Sequence, residues 1–160
     1  MKNWAHFHVV VNHLPIFAAG FAALFLAVGL VAHDRKGWIR AGILLLFVSF
    51  VGVAAAFLSG SPALTVISGA PRTSAKALTE HHIGALVATI TAGIAMIITI
   101  VTVVLVRRRG MYPRWAVATL LGVTIATAGS LAYTGLAGGR INHPELQKPG
   151  DRESGPAHPH

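Results

Sequence analysis

Nine histidines stand against only five carboxylates in this chain of 160 residues, and there is no cysteine at all. The missing thiol removes disulfides, thiolate zinc sites, iron–sulfur clusters, covalently attached haem and cysteine nucleophiles together. What remains is imidazole with a little carboxylate, a donor set that suits copper, iron or zinc ions and, as an axial pair, haem iron. The candidates are His6, His8 and His13 near the start, His81 and His82 in the middle, and His143 toward the end. Asn12, Glu80, Arg140, Asn142 and Glu145 accompany them. There is no Gly-rich phosphate loop, no G-x-S-x-G elbow and no H-E-x-x-H pair, so no catalytic residue is assigned.

The elements that must position these side chains are unusually apolar. The chain is 54% hydrophobic and 11% charged, with a mean hydropathy of +0.65, which is not a soluble composition. Its charges almost completely avoid four stretches, 9–32, 38–59, 83–106 and 115–137, each 22 to 24 residues long, with Arg40 alone near the start of the second. At about 1.5 Å per residue these reach roughly 33 to 36 Å, enough to cross a hydrocarbon core of about 30 Å with modest tilt. The first is too long for a signal peptide and reads as a retained span. The expected fold is therefore all-α, an integral membrane up-down four-helix bundle over residues 1–139. A polar C-terminal segment, 140–160, is expected to hold the His143 motif and then a mobile tail, because Pro144, Pro149, Pro156 and Pro159 prevent a further helix.

Between the middle spans, Pro62, Gly69 and Pro71 punctuate a linker from Gly60 to Glu80. Thr73 or Ser74 is suited to cap the third helix, which then starts before the membrane does. Arg35, Lys36, Arg40, Arg107, Arg108, Arg109 and Arg114 cluster by short loops at one end, against scattered Lys2, Arg72, Lys76, Arg140, Lys148 and Arg152 at the other. This bias puts both termini in the periplasm of a bacterial inner (cytoplasmic) membrane. The sequence pI of 11.2 then reflects topology and attraction to anionic lipid, and no nucleic-acid partner is expected.

Threading the chain through such a bundle brings His6, His8, His13, His81, His82 and His143 to one end and leaves His33 at the other. Residues far apart in sequence thus converge on one plane by topology alone. At 100° per residue His6 and His13 share a face about 10 Å apart, His8 and Asn12 share another, and of His81 and His82 at most one faces the centre. His13 lies roughly 6 Å inside the first span, where an unpartnered imidazole is costly. Pro15 frees the carbonyl of Val11 from its helical bond, a gap that Asn12 is placed to fill. Gly20 and Gly84 leave room beneath His13 and His81 for a flat ligand or for close helix contact. Gly138 and Gly139 allow a sharp turn after the fourth span, folding His143 back over the bundle.

Three segments, H-F-H-V-V-V-N-H-L-P (6–15), T-E-H-H (79–82) and G-G-R-I-N-H-P-E (138–145), resemble an uncharacterised family of small bacterial four-span membrane proteins. That family shows N-H-x-P in the first helix, E-E-H opening the third, and G-G-[KR]-I-x-H-P-E after the fourth. The resemblance covers nearly the whole layout and points to His8, Asn12, His13, Pro15, Glu80, His81, Gly138, Gly139, His143, Pro144 and Glu145. It names no reaction. The chain departs from the pattern at His82, Ile83 and Gly84, and by Ser-Gly-Ser-Pro at 59–62 in place of Gly-Glu-Pro.

Three functions follow as expectations. The leading one is a membrane redox protein that binds haem b through His8, His13, His81 and His143, with His6, Asn12, Glu80, His82, Arg140 and Glu145 around them, for electron transfer. The alternative is a copper, iron or zinc ion held by the same four imidazoles. The third is a non-catalytic subunit of a larger membrane complex. The expected partners are the lipid bilayer and a redox protein or such a complex.

Overall fold

The structure, a computed structural model, describes residues 3–67 and 75–142. The expected cap at Thr73 or Ser74, and the segment 143–160 with His143 and Glu145, lie outside them. Four helices account for the described chain: α1 (Asn3–Val31), α2 (Arg35–Ile67), α3 (Ala75–Arg109) and α4 (Arg114–Asn142). All four are long and apolar enough to cross a membrane. In lipid no water is available to the backbone, and the helix satisfies its N–H and C=O groups internally. The protein is an all-α four-helix bundle of membrane-spanning helices.

The helices overrun the expected spans. At 29 to 35 residues they reach roughly 44 to 52 Å, well beyond the hydrocarbon thickness. Helix α2 continues through Gly60 and Pro62, expected to open a linker, as far as Ile67. Helix α4 likewise continues through Gly138 and Gly139 to Asn142, so the expected turn at the two glycines does not occur. Both glycines cost helix propensity, about 1 kcal/mol each against Ala, and the compensation at Gly138 is a contact described below. A left-handed glycine is used elsewhere: Gly110, at φ +70°, ends α3 with its N–H on the carbonyl of Val106 at 2.8 Å. Pro15 does not break α1. It is buried, and Ser49 Oγ donates to its carbonyl at 3.0 Å.

Helix α1 packs on α2 and α4, and α3 packs on α4 and α2, so α1 and α3 face each other across the diagonal. Small residues are prominent inside, alongside buried Leu26, Ile39, Leu46 and Leu120. Ala19, Ala22, Ala88, Ala92 and Ala95 are buried, while Phe17, Phe21, Phe47, Ile97 and Leu136 are exposed. Small residues let backbones approach where lipid supplies no hydrophobic drive between helices. Buried Thr99, Thr124 and Thr127 return their hydroxyls to carbonyls four residues back, at 2.7 to 2.9 Å, so their donors are satisfied inside the bundle.

Candidate functional site

The N-terminal end of α1, the C-terminal end of α2, the N-terminal end of α3 and the C-terminal end of α4 meet at one end of the bundle. The site is built there. On α1, the buried positions Leu26, Ala22, Ala19 and Pro15 trace a stripe whose upward continuation, one heptad above Pro15, is His8. His8 is half-buried. Its Nδ1 lies 2.8 Å from Ser59 Oγ on α2, and Ser59 Oγ donates in turn to the carbonyl of Ala56 at 3.1 Å. Because the serine proton is committed to Ala56, His8 Nδ1–H is the donor to Ser59. The Nε2 lone pair then accepts from Asn12 Nδ2, 3.1 Å away and one turn along the same face. Asn12 thus serves His8 rather than the carbonyl of Val11, for which it was expected.

On α3 the corresponding stripe is His81, Gly84, Ala88 and Ala92. His81 Nδ1 lies 3.0 Å from the carbonyl oxygen of Thr134 on α4. A carbonyl can only accept, so His81 carries its proton on Nδ1, and Nε2 is the nitrogen left to face a ligand. Two glycines make this approach possible. A Cβ on Gly138 would stand 3.1 Å from His81 Nδ1, and one on Gly84 would stand 2.8 Å from Thr134 Oγ1 and 3.2 Å from Tyr133 Cδ1. Of the two uses expected for the space at Gly84, close helix contact is therefore the one realised. No atom lies within 4 Å of a Cβ built on Gly20.

The two imidazoles meet across the diagonal of the bundle. Their centroids are 6.3 Å apart and their planes are inclined at 79°. Burial, and next the neighbouring His81, push the His8 pKa below its ordinary value, against a weaker opposing effect of the Ala56 carbonyl. His8 precedes the membrane-spanning part of α1, which begins at Val11. Above the pair, Arg140 Nη1 and Glu80 Oε2 join α4 to α3 at 3.7 Å, with 46% and 31% of their side chains exposed. A long, wet ion pair of this kind contributes at most about 1 kcal/mol.

Of the other expected site residues, His13 is exposed on the face of α1 turned away from His8, and His82 is exposed beside the inward His81. The His6 side chain lies outside the described residues, as do His143 and Glu145. Among the described residues no group of three His, Asp or Glu side chains is close enough to hold a metal ion. Ser59 and Thr134, which fix both imidazole tautomers, were not anticipated from sequence. The signal that separates His8 from His13 was present in it, in the phase of the small-residue stripe. No protein family, curated protein or solved structure matches this chain.

Proposed function

We propose that the protein binds a transition-metal ion at the histidine end of the bundle, through Nε2 of His8 and Nε2 of His81, with copper as the ion. One observation carries this reading. Both imidazoles, from diagonally opposed helices, donate Nδ1–H to a protein acceptor and keep an unprotonated Nε2, and their centroids are 6.3 Å apart. An N–H anchored on one side and a lone pair on the other is how metal-ligating histidines are held. With metal–nitrogen bonds of about 2.0 to 2.1 Å, two imidazoles on one ion have centroids about 5 Å apart when tetrahedral and about 6 Å when trans. The observed 6.3 Å is wider than a tetrahedral pair would need, so an ion held by both rings would suit copper better than zinc.

Asn12 occupies the His8 lone pair, and an ion would replace that bond. The exchange gives up about 1 kcal/mol of net hydrogen bonding for coordination that reaches roughly 10 kcal/mol in a complete structural site. Glu80, the neighbour of His81 on α3, would be a further donor, and His143 and Glu145, expected as ligand and neighbour from the sequence, lie outside the described residues. His8, His81 and Gly138 all belong to the segments that carry the family resemblance. The site would face the periplasm of a bacterial inner membrane, because Arg107, Arg108 and Arg109 lie at the opposite end.

Haem b is the second reading, since axial imidazoles on one iron have the same trans spacing. It is less favoured because the space that Gly84 was expected to leave for a macrocycle beneath His81 is taken by Thr134 and Tyr133. Elemental analysis and an absorption spectrum of the detergent-purified protein test both. One copper per chain, lost in His8→Ala and in His81→Ala and retained in His13→Ala, is expected. A Soret band would establish haem instead, and neither signal would leave the protein as a subunit without a metal.

A further inference from the structure

The opposite end of the bundle holds a separate feature. Between the α1–α2 turn and the α3–α4 turn lies a cavity of about 300 Å³, lined by His33, Asp34, Arg35, Lys36, Met111 and Tyr112. Arg35 Nε donates to the carbonyl of Gly29 at 3.0 Å, which fixes the guanidinium plane. Its Nη2 is buried and, among the described residues, has no hydrogen-bond partner. A buried donor on a cation is costly to leave unmatched, so an acceptor belongs beside it. Asp34 is turned to the first turn of α2, its Oδ2 3.6 Å from where a Cβ on Gly37 would stand. With the Asp34 carboxylate directed to that turn, Arg35 and Lys36 are the cations that leave the cavity suited to an anion, and the planar fork of Arg35 matches a phosphate.

A second cavity, of about 390 Å³, runs from Arg40 and Tyr112 between Ile43, Phe47, Met96 and Val103. It lies between α2 and α3, the least closely packed pair of neighbouring helices. Tyr112 lines both cavities. A polar recess with an unmatched cationic donor therefore adjoins an apolar groove that opens toward lipid. Trp38, 40% exposed and edge-on to Phe25 at 5.4 Å, marks the headgroup level at this end.

We propose that this end carries a specific site for an anionic phospholipid, its phosphate in the Arg35 cavity and one acyl chain along the α2–α3 groove. A free phosphate would use the first cavity only. The shared wall at Tyr112 is what selects an amphipathic ligand, and a basic recess between spanning helices is the chemistry that captures acidic headgroups.

The test reconstitutes the full chain in nanodiscs of phosphatidylcholine containing a minority of phosphatidylglycerol and counts retained lipid by native mass spectrometry. The wild-type chain is expected to keep one phosphatidylglycerol. Arg35→Gln should reduce its retention about fivefold or more, while Arg109→Gln, which removes the same charge, leaves it unchanged. Equal loss in the two variants would reduce the effect to diffuse attraction and overturn the site. Because Arg35→Gln also loses the bond to Gly29, Val103→Trp decides the matter if that variant does not fold. It plugs the groove and keeps the guanidinium. Loss of phosphatidylglycerol in Val103→Trp supports the lipid, and full retention overturns it. Displacement of the lipid by inorganic phosphate alone would show a free-anion site and also overturn the proposal.

Discussion

Gly138 and His81 touch: a Cβ on the glycine would stand 3.1 Å from Nδ1 of the imidazole and 3.2 Å from its Cε1. The α4 backbone is thus the wall against which the His81 ring is held while Nδ1–H reaches the carbonyl of Thr134. A glycine inside a helix is usually a local weakness, and here the space it leaves is filled by an imidazole from the neighbouring helix.

Gly138→Ala should therefore push the His81 ring by a few tenths of an ångström and lengthen its bond to Thr134. Disturbing the group that orients a ligand costs about tenfold or more in metal affinity, and that loss is expected in a copper titration of the purified variant. Gly139→Ala meets no atom within 4 Å and gains helix propensity, so its affinity should equal that of the wild type. Equal affinities for Gly138→Ala and the wild type would remove the wall from the site.

The next prediction concerns acid. In the metal-free protein the His8 pKa is lowered by burial and by His81, whereas the unfolded chain titrates near the ordinary value of about 6.5. As pH falls the unfolded chain binds the proton first. The contribution of neutral His8 to stability is present above about pH 6.5 and is lost as pH falls through the folded pKa. Thermal unfolding of metal-stripped protein between about pH 5 and pH 8 should show this acid loss reduced in His8→Gln. Identical profiles in the two chains would place the titrating group elsewhere.

At the α3–α4 contact, Gly84→Ala would set a Cβ 2.8 Å from Thr134 Oγ1, a hydroxyl already held by the carbonyl of Ser130 at 2.8 Å. Overpacking of this kind costs about 1 to 3 kcal/mol. Gly93, on the same helix, has no atom within 4 Å of its would-be Cβ, and Gly93→Ala should be neutral or stabilise by up to about 1 kcal/mol. Reversible unfolding in mixed micelles compares the two, and a Gly84→Ala variant as stable as Gly93→Ala would contradict the close helix approach.

Topology is open to labelling, because a chain with no native cysteine accepts single reporters cleanly. Ala70→Cys and Gly150→Cys should react with an impermeant maleimide from the periplasmic side of spheroplasts, and Met111→Cys only after the membrane is opened. Reaction of positions 70 and 150 from opposite sides would be incompatible with four spans.

Much of the fold was legible because lipid imposes it: an apolar run long enough to cross a bilayer has to be helical, and four of them joined in up-down order bring the two histidine-bearing ends together. The family of candidates at that end followed from order along the chain. Which of them turn inward did not. In a soluble helix the apolar stripe names the buried face, but here both faces are apolar, and His8 and His13 sit in equally hydrophobic surroundings. Around the histidines it is the alternation of small against large residues that carries the phase, with Ala19 and Ala22 inside and Phe17 and Phe21 outside.

What the sequence determined by itself is the number of spans, their common end and the kinds of ligand available, because these depend on length, polarity and the absence of thiol. The tertiary structure decided which nitrogen each inward histidine keeps unprotonated and what its glycines are for. Ser59, Thr134 and Gly138 act on His8 or His81 from other helices, through single hydrogen bonds and contacts near 3 Å. Such distances are set by how closely two backbones approach, which no residue encodes alone; Gly138 and Gly139 are identical as letters, and only the neighbour at Gly138 makes it a wall rather than a turn.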